Sequence, residues 1–446
     1  MRTVNVSGVP LSWNPKLPPA LAARGRGNLK SVPEKLTVHG IVLLVIGLLM
    51  ATSAFERFRI PVGALQVHLY LVLMAPFFLY MVATNIREFP GVPLAALLVF
   101  CGMYIISTLS GGGFAYGEVL KICASAATLV TAALMVRSES DFSAGVIGLS
   151  VAVGFLAFFN LETADRLGRN LMETGNKNAY SLYALPAMLL AGAVLVQKRH
   201  STLLINGILA VCTFGPLVVI FMGANRSGWL GCALIALMLM ILRGFNARGV
   251  VIVGVLGYAT YFAITNFGTT SVFEFRVKQT LEGSTSDVNR KALVIAALKI
   301  GMDNPVVGVS PQQLPFELGR EMESGEYSAP HNVLGQLVGG SGLICTAALA
   351  FVAISLWRLK PPGRAPQISD AFKAARSVLR MMLVLWAFRG MFTAEILYSP
   401  AFSMAIGLLI GLCVTIGRRE RAQAGARPPR PLVAYPGIAQ FPGIAT

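Results

Sequence analysis

Three arginines and one histidine are the side chains in this apolar chain that are best suited to ligand binding and catalysis. Arg226 lies in "MGANRSGWLG", Arg290 in "DVNRKALV", His331 in "SAPHNVLG" and Arg389 in "WAFRGMF". Arginine stays charged and offers a planar fork of donors that matches phosphate oxygens, so converging arginines hold a diphosphate well. Histidine exchanges a proton near neutral pH. These residue types predict a site that binds a diphosphate and moves a proton, provided that the fold places them on one face.

Each of the four residues also has a purely structural interpretation. Arg226 is equally explained as a snorkelling arginine at a membrane surface, and Arg290 as an ordinary exposed residue of a helix. Arg389 then anchors the end of a helix, and His331 caps a helix or lies at the interface. Both interpretations stay open on residue type alone, so the elements that carry these residues matter.

Composition indicates a polytopic membrane protein. Of the 446 residues, 55% are hydrophobic and 13% are charged, whereas soluble domains carry about 25% charged residues. Apolar runs long enough to cross a bilayer as helices recur along the chain. We therefore predict an all-α membrane helical bundle of about twelve transmembrane helices. The predicted spans are 38–55, 62–84, 92–108, 115–136, 144–160, 179–196, 202–222, 227–243, 248–267, 331–356, 375–391 and 400–417.

The spans divide the chain into five predicted parts. These are a basic tail (1–37), spans one to nine (38–267), a long external loop (268–330), spans ten to twelve (331–417) and a disordered C-terminal tail (418–446). Lys and Arg concentrate in the tails and in the loops on their side, so the positive-inside rule predicts that both termini are cytoplasmic. Topology and anionic lipid headgroups then explain the net charge of +17, and no nucleic-acid partner is predicted.

The sequence of the long loop is not low in complexity, and its pattern predicts one short helix. Ser286 or Asp287 is the expected N-cap, and the helix is expected to stop near Gly301, ahead of Pro305. Its apolar run is too short to span a bilayer, so we expect it to lie at the interface or to pack on the bundle. Arg290 falls in its first turn.

Several kinds of chemistry lack their motifs in this sequence. There is no GxxxxGK[ST] phosphate loop, no HExxH, no His/Cys/carboxylate cluster at metal spacing and no GxSxG elbow. The six cysteines lie in or beside apolar segments without paired spacing, which favours core residues over disulfides or a zinc site. We predict neither a metal nor a cofactor. An enzyme of this kind needs a donor that arrives already activated, and a lipid-linked diphosphate is the natural candidate.

Four motifs follow one another in an order that resembles the O-antigen ligase and O-antigen polymerase superfamily of bacterial membrane glycosyltransferases. They are "GNKNAYSLYALPAMLLAG" (175–192), "ANRSGWLGCALIAL" (224–237), "NRKALVIAALKIGMDNPVVGVSPQQL" (289–314) and "PHNVLGQLVGGSGLI" (330–344). The resemblance covers roughly residues 170–350. It implies a bundle like that of the C-type glycosyltransferases and a place in the bacterial inner membrane, with the active site on the periplasmic face.

The resemblance also implies substrates and roles. The donor is a glycan linked to undecaprenyl diphosphate, and metal-independent transfer goes to a sugar hydroxyl of lipid A–core or of a second lipid-linked glycan. Arg226 and Arg290 are expected to hold the diphosphate, and His331 to orient or deprotonate the acceptor hydroxyl. Asn332 and Arg389 are further expected substrate-binding residues, although Arg389 has no securely matching motif.

Ligase and polymerase activities both fit this sequence. The ligase pattern after the histidine ends in Gly, Thr or Tyr, whereas this chain has Cys345 there, with Thr346 one position later. An inverting ligase acting in lipopolysaccharide biosynthesis is the first hypothesis, and an O-antigen or exopolysaccharide polymerase is the second. A secondary transporter or flippase is a more distant alternative, because transporters show broken helices and buried acids near the midplane, whereas only Glu118 looks intramembrane in this sequence. A non-catalytic scaffold is another.

Overall fold

The structure, a computed structural model, describes residues 37–54, 59–62, 65–111, 116–163, 179–197, 203–222, 225–243, 254, 285–322, 329–361 and 369–426. All of these lie in one compact unit, Leu36–Thr446. The described α-helices are α1 Val38–Leu49, α2 Leu69–Asn85, α3 Gly91–Ser110, α4 Tyr116–Met135, α5 Glu139–Thr163, α6 Ala179–Val196, α7 Leu203–Met222, α8 Arg226–Arg243, α9 Thr285–Asp303, α10 Leu314–Glu321, α11 Val333–Trp357, α12 Asp370–Gly390 and α13 Pro400–Ala426. Two short strands, β1 Arg59–Val62 and β2 Leu65–His68, pair antiparallel.

The bundle is that of a multi-pass membrane protein. Among the described residues, seven helices are long and apolar enough to cross a membrane: Leu69–Glu88, Gly91–Ser110, Gly117–Met135, Glu139–Phe158, Leu203–Phe221, Val333–Trp357 and Pro400–Gln423. Three shorter apolar helices accompany them: Val38–Ser53, Tyr180–Val196 and Arg226–Leu242. The predicted all-α membrane fold is therefore confirmed. The count of twelve stays a prediction, and the ninth predicted span, 248–267, lies outside the described residues except for residue 254.

The last helix, α13, is the centre of the bundle, with 89% of its candidate span buried. Glycines let its backbone approach the neighbouring helix α4 closely. A Cβ added to Gly411 would lie 2.5 Å from the carbonyl oxygen of Ala133. Small residues serve this purpose in membrane bundles, where close van der Waals contact has to replace the hydrophobic effect.

Three sequence predictions need correction. The second span does not begin at 62, because the chain forms the β1–β2 hairpin before α2 starts at Leu69. Helix α9 begins at Thr285, ahead of both predicted caps. Residues 418–426 of the tail predicted to be disordered continue α13. Side-chain contacts of Arg418 with Glu88 and of Glu420 with Ser369 attach this extension to the bundle.

Helix α11 is broken near its start, and the loop after α9 fills the break. Gly342 has φ 78° and ψ 175°, which interrupts the helix nine residues after it begins. The N–H of Leu343 donates to the carbonyl of Pro305 (2.7 Å), and the N–H of Val309 donates to the carbonyl of Gly339 (3.0 Å). These bonds pair backbone groups that the break releases. They also fasten the α9–α10 segment to the bundle.

Polar and ionic side-chain contacts join several segments at one end of the bundle. At one end, Glu88 accepts hydrogen bonds from Arg137 and Arg418, and Thr37 contacts Asp141. All of these residues belong to segments or span ends that the sequence assigns to the cytoplasmic side. Their meeting is consistent with the predicted sidedness of the segments and leaves the membrane side of each end as a prediction.

Candidate functional site

Arg226 is the first residue of helix α8, and its side chain is half-buried. The turn that carries it is fixed by Asn225. The Asn225 Oδ1 accepts hydrogen bonds from the backbone N–H of Gly228 (3.1 Å) and from Ser227 Oγ (2.8 Å). This is an N-cap arrangement, which satisfies a backbone donor that the helix start leaves unpaired. The helix dipole adds positive potential next to the guanidinium.

Arg389 lies near the end of α12 and points into the same region. Its side chain is fully buried, with 0% of its surface exposed. The guanidinium donates to the hydroxyls of Ser227 and Ser181, the latter at 2.9 Å. The charge of Glu395 also acts on it favourably. Arg389 therefore connects the starts of α6 and α8 with the end of α12.

His331 has a strained backbone at the mouth of α11. Its φ is +51°, a left-handed conformation that few non-glycine residues adopt. Such strain persists only where the surroundings require it, and it is concentrated at functional sites. The side chain is exposed and is close enough to Arg290 for the two to interact electrostatically. Partial burial first, and the Arg290 charge second, lower the pKa of His331 below its usual 6.5.

Helix α9 is anchored to the bundle about two turns after Arg290. A small separate core there includes Ala297, Ile300 and Leu314. A Cβ on Gly301 would lie 2.5 Å from both Cγ1 and the carbonyl oxygen of Val338, so α9 and α11 are in direct contact. The apolar contact thus leaves Arg290 exposed at the end of the bundle where α11 begins.

Asn332 caps helix α11. Its Oδ1 accepts the backbone N–H of Gly335 at 2.6 Å, and its own backbone is extended, as is usual at an N-cap. A structural role therefore accounts for the carbonyl oxygen of this side chain. The substrate contact predicted for Asn332 stays a prediction.

We expect Asn332→Ala to lower the free energy of unfolding by about 1 kcal/mol, because the cap is lost. Asn332→Ser keeps a capping oxygen without adding a charge, and it removes the amide donor. If Asn332 acts only as a cap, the Ser variant keeps both wild-type stability and wild-type turnover. A stable Ser variant with lost turnover would instead assign the amide to the substrate. Thermal unfolding in detergent, together with a turnover assay, separates the two cases.

The helix ends that carry the predicted residues meet. A Cβ on Gly390 would lie 3.1 Å from Cγ2 of Val333, so the residue after Arg389 touches the second residue after His331. The structure thus brings Arg290 to His331, and Arg389 to the turn of Arg226, at adjoining helix ends. Helices α6, α8 and α11 have their N-termini at this end, whereas α12 ends here with its C-terminus, so the helix dipoles partly offset one another.

The sequence predictions missed the polar side chains that hold Arg389. Ser181, Asn225 and Ser227 are all buried. Their one signal in the sequence is their position, since each is a polar residue at the beginning of an apolar helix. Among the described residues, no group of three or more His, Cys, Asp and Glu side chains is arranged to hold a metal ion.

Fold and site together define a multi-pass membrane protein with a cationic, histidine-bearing site at one end of its helical bundle. A family model described as O-antigen ligase matches residues 208–350, about a third of the chain. This match confirms the predicted resemblance to the O-antigen ligase and O-antigen polymerase superfamily. It includes Arg226, Arg290, His331 and Asn332, whereas Arg389 and the motif at 175–192 lie outside it. No curated protein matches the chain.

Proposed function

We propose that this protein is a membrane glycosyltransferase of the O-antigen ligase type. It transfers a glycan from undecaprenyl diphosphate to a sugar hydroxyl of lipid A–core, on the external face of the inner membrane, with both termini cytoplasmic. The observation that carries the proposal is the pairing of Arg290 with a strained, exposed His331 at the mouth of α11. A cation beside an exposed imidazole combines anion binding with proton transfer in one place.

In the proposed mechanism, the donor enters from the bilayer with its diphosphate between Arg226 and Arg290. Both guanidinium groups stabilise the negative charge that develops on the diphosphate as the anomeric C–O bond breaks. His331 accepts the proton of the acceptor hydroxyl while that oxygen attacks from the opposite face of the sugar. The new bond forms at the anomeric carbon with inversion, and the lipid diphosphate leaves with the electron pair. No metal takes part in this proposal.

The lowered pKa of His331 supports its proposed role as a base. A group whose pKa lies below 6.5 is neutral at pH 7, and only the neutral imidazole accepts a proton. The chemical environment thus favours the reactive form at physiological pH. The Arg290 charge contributes to both functions, since it attracts the diphosphate and disfavours the imidazolium.

A polymerase is the second candidate, and Cys345 is the observation that favours it. This position departs from the ligase pattern, and the residue is fully buried against α3, with its Sγ 3.8 Å from the carbonyl oxygen of Phe100. A polymerase uses the same donor and the same cations but accepts a second lipid-linked glycan. The break in α11 resembles the broken helices of transporters. Its backbone groups, however, bond to the loop after α9, which favours a fixed support over a transport site.

The deciding experiment supplies purified protein with an undecaprenyl-diphosphate-linked oligosaccharide, with or without lipid A–core. A glycosylated core that is absent with His331→Ala supports the ligase. Longer lipid-linked chains without any core support the polymerase. If the wild-type protein consumes donor in neither reaction, the glycosyltransferase proposal is wrong.

The titration of His331 gives a further prediction. With His39, His68 and His200 replaced by Gln, diethyl pyrocarbonate should modify His331 with a midpoint below pH 6.5, because only neutral imidazole reacts. Arg290→Gln removes a positive charge, so its midpoint should move to higher pH, whereas Arg290→Lys should leave it nearly unchanged. Equal midpoints in all three proteins would mean that Arg290 does not act on His331. Mass spectrometry of the modified peptide measures the midpoint without any glycan donor.

A further inference from the structure

Four buried side chains form a closed ring of hydrogen bonds, here named the Arg389 ring: Arg389, Ser227, Asn225 and Ser181. Arg389 donates to both serines, at 2.9 Å to Ser181. Ser227 donates to Asn225 Oδ1 (2.8 Å), and Asn225 Nδ2 donates to Ser181 Oγ (3.0 Å). The ring joins the first turn of α6, the cap and first turn of α8, and the last turn of α12.

The Arg389 ring holds a positive charge in the buried interior of the bundle, where a charged group is unfavourable. Arg389 has no exposed surface, and its Nε has no hydrogen-bond partner among the described residues. A buried cation inside a membrane bundle is expensive to maintain, and such residues are as a rule functional. The two serine hydroxyls and the charge of Glu395 offset part of this cost, but buried charges with partners are themselves weak evidence for a gain in stability.

Two members of the Arg389 ring flank Arg226 in the sequence. They are Asn225 and Ser227, and hydrogen bonds fix the side chains of both. The backbone of Arg226 is therefore held on both sides, whereas its own side chain is only half-buried. A cation that binds a leaving group acts best when it is preorganised, since reorientation during the reaction then costs nothing.

We propose that Arg389 is a positioning residue that fixes Arg226 for the diphosphate. It does so by locking the start of α8 to α6 and α12 through the Arg389 ring. Arg389 makes no contact with the diphosphate itself, because its guanidinium is enclosed and donates to the two serines. This inference rests on the proposed function and gives Arg389 a different role from the substrate contact expected on sequence.

A double-mutant cycle tests the proposal through kinetics. Arg389→Gln should lower kcat/KM at least about 10-fold, since small misplacements of a catalytic cation have large effects. The double variant Ser181→Ala/Ser227→Ala should reproduce most of that loss, and Arg389→Lys should restore part of it. In a protein that already carries Arg226→Ala, Arg389→Gln should lower kcat/KM by a further factor of less than about 2, because its effect passes through Arg226. Losses that multiply would overturn the proposal and favour direct contact of Arg389 with the substrate.

The fluorescence of Trp229 tests the positioning role of Arg389 independently of any glycosyltransferase activity. Trp229 lies one turn after Arg226, stacks on Phe221 with ring centroids 5.7 Å apart and donates from Nε1 to the Ile220 carbonyl (3.2 Å). In a full-length protein with Trp13, Trp357 and Trp386 replaced by Phe, this indole reports on the start of α8. Breaking the ring with Ser181→Ala/Ser227→Ala should at least double its quenching by acrylamide.

Arg380→Gln is the matched control, because Arg380 lies on the same helix, is partly exposed and donates to the Trp357 carbonyl (3.0 Å) far from the ring. It should leave both the quenching of Trp229 and kcat/KM unchanged. Unchanged quenching in the serine variant would overturn the positioning role, even in a fully active protein. A wild-type protein that consumes no donor would instead refute the proposed function, while the Trp229 result still decides whether the ring holds α8.

Discussion

Arg290→Ala should lower the rate of glycan transfer by about 10²-fold or more, because it removes a preorganised donor from the charge that develops on the leaving diphosphate. The fold should survive the change. Arg290 is exposed on α9, and the contacts that attach this helix to α11 come about two turns later along it, around Ala297 and Gly301. The loss should therefore appear in turnover with no change in the unfolding temperature. Arg226→Ala should have a loss of the same size.

Lys291→Ala is the matched control for Arg290. The two residues are adjacent, both are exposed, and both carry a positive charge at pH 7. A general electrostatic attraction of the anionic donor would make the two alanine variants equally slow, and the effect of each would fade as salt is added. A specific diphosphate contact makes Arg290→Ala slow and leaves Lys291→Ala close to wild type. Wild-type transfer by Arg290→Ala would remove Arg290 from the site.

Local pattern predicted most of the helices, because each membrane helix satisfies its own backbone and is visible as one apolar run. The predicted span 179–196 has the same bounds as α6. The helix of the long loop was predicted to stop near Gly301 and ends at Asp303. Features that depend on distant parts of the chain were not predictable in this way. The helical extension beyond 417 is of this kind, since contacts such as that of Arg418 with Glu88 support it. The β1–β2 hairpin is local, but its second strand, Leu65–His68, lies inside the apolar run predicted as span 62–84.

The candidate site shows the same division between local and distant information. The residue types and motif order singled out Arg226, Arg290 and His331, and the structure places Arg290 beside His331 across the α9–α11 contact. No pattern in the sequence joins Arg389 to Ser227 and Ser181, which precede it by 162 and 208 residues. Hydrogen bonds of that range follow from the packing of whole helices. A charge in an apolar run therefore signals a functional position without identifying its partners.

The largest expected effect on stability comes from Gly342→Ala, at the break in α11. The backbone of Gly342 (φ 78°, ψ 175°) lies in a region that is essentially restricted to glycine, and other residues there cost about 1–3 kcal/mol. An added Cβ would also lie 2.5 Å from the carbonyl oxygen of Val306, a backbone atom that cannot easily move. We expect a total loss of at least about 3 kcal/mol in the free energy of unfolding.

The Gly342 effect should extend to activity, because the break supports the segment that carries Arg290. The bond from Leu343 N–H to the Pro305 carbonyl (2.7 Å) lies directly beside Gly342 and holds the chain just after α9. Gly102→Ala in α3 is the matched control, since an added Cβ there meets nothing within 4 Å. It should be neutral or stabilising by up to about 1 kcal/mol, as expected inside a helix. If both variants unfold at the wild-type temperature, the break in α11 is not a fixed part of the native fold. If Gly342→Ala loses transfer even at a temperature where it is still folded, and Gly102→Ala does not, the glycine is required because it places the cation of α9 next to His331.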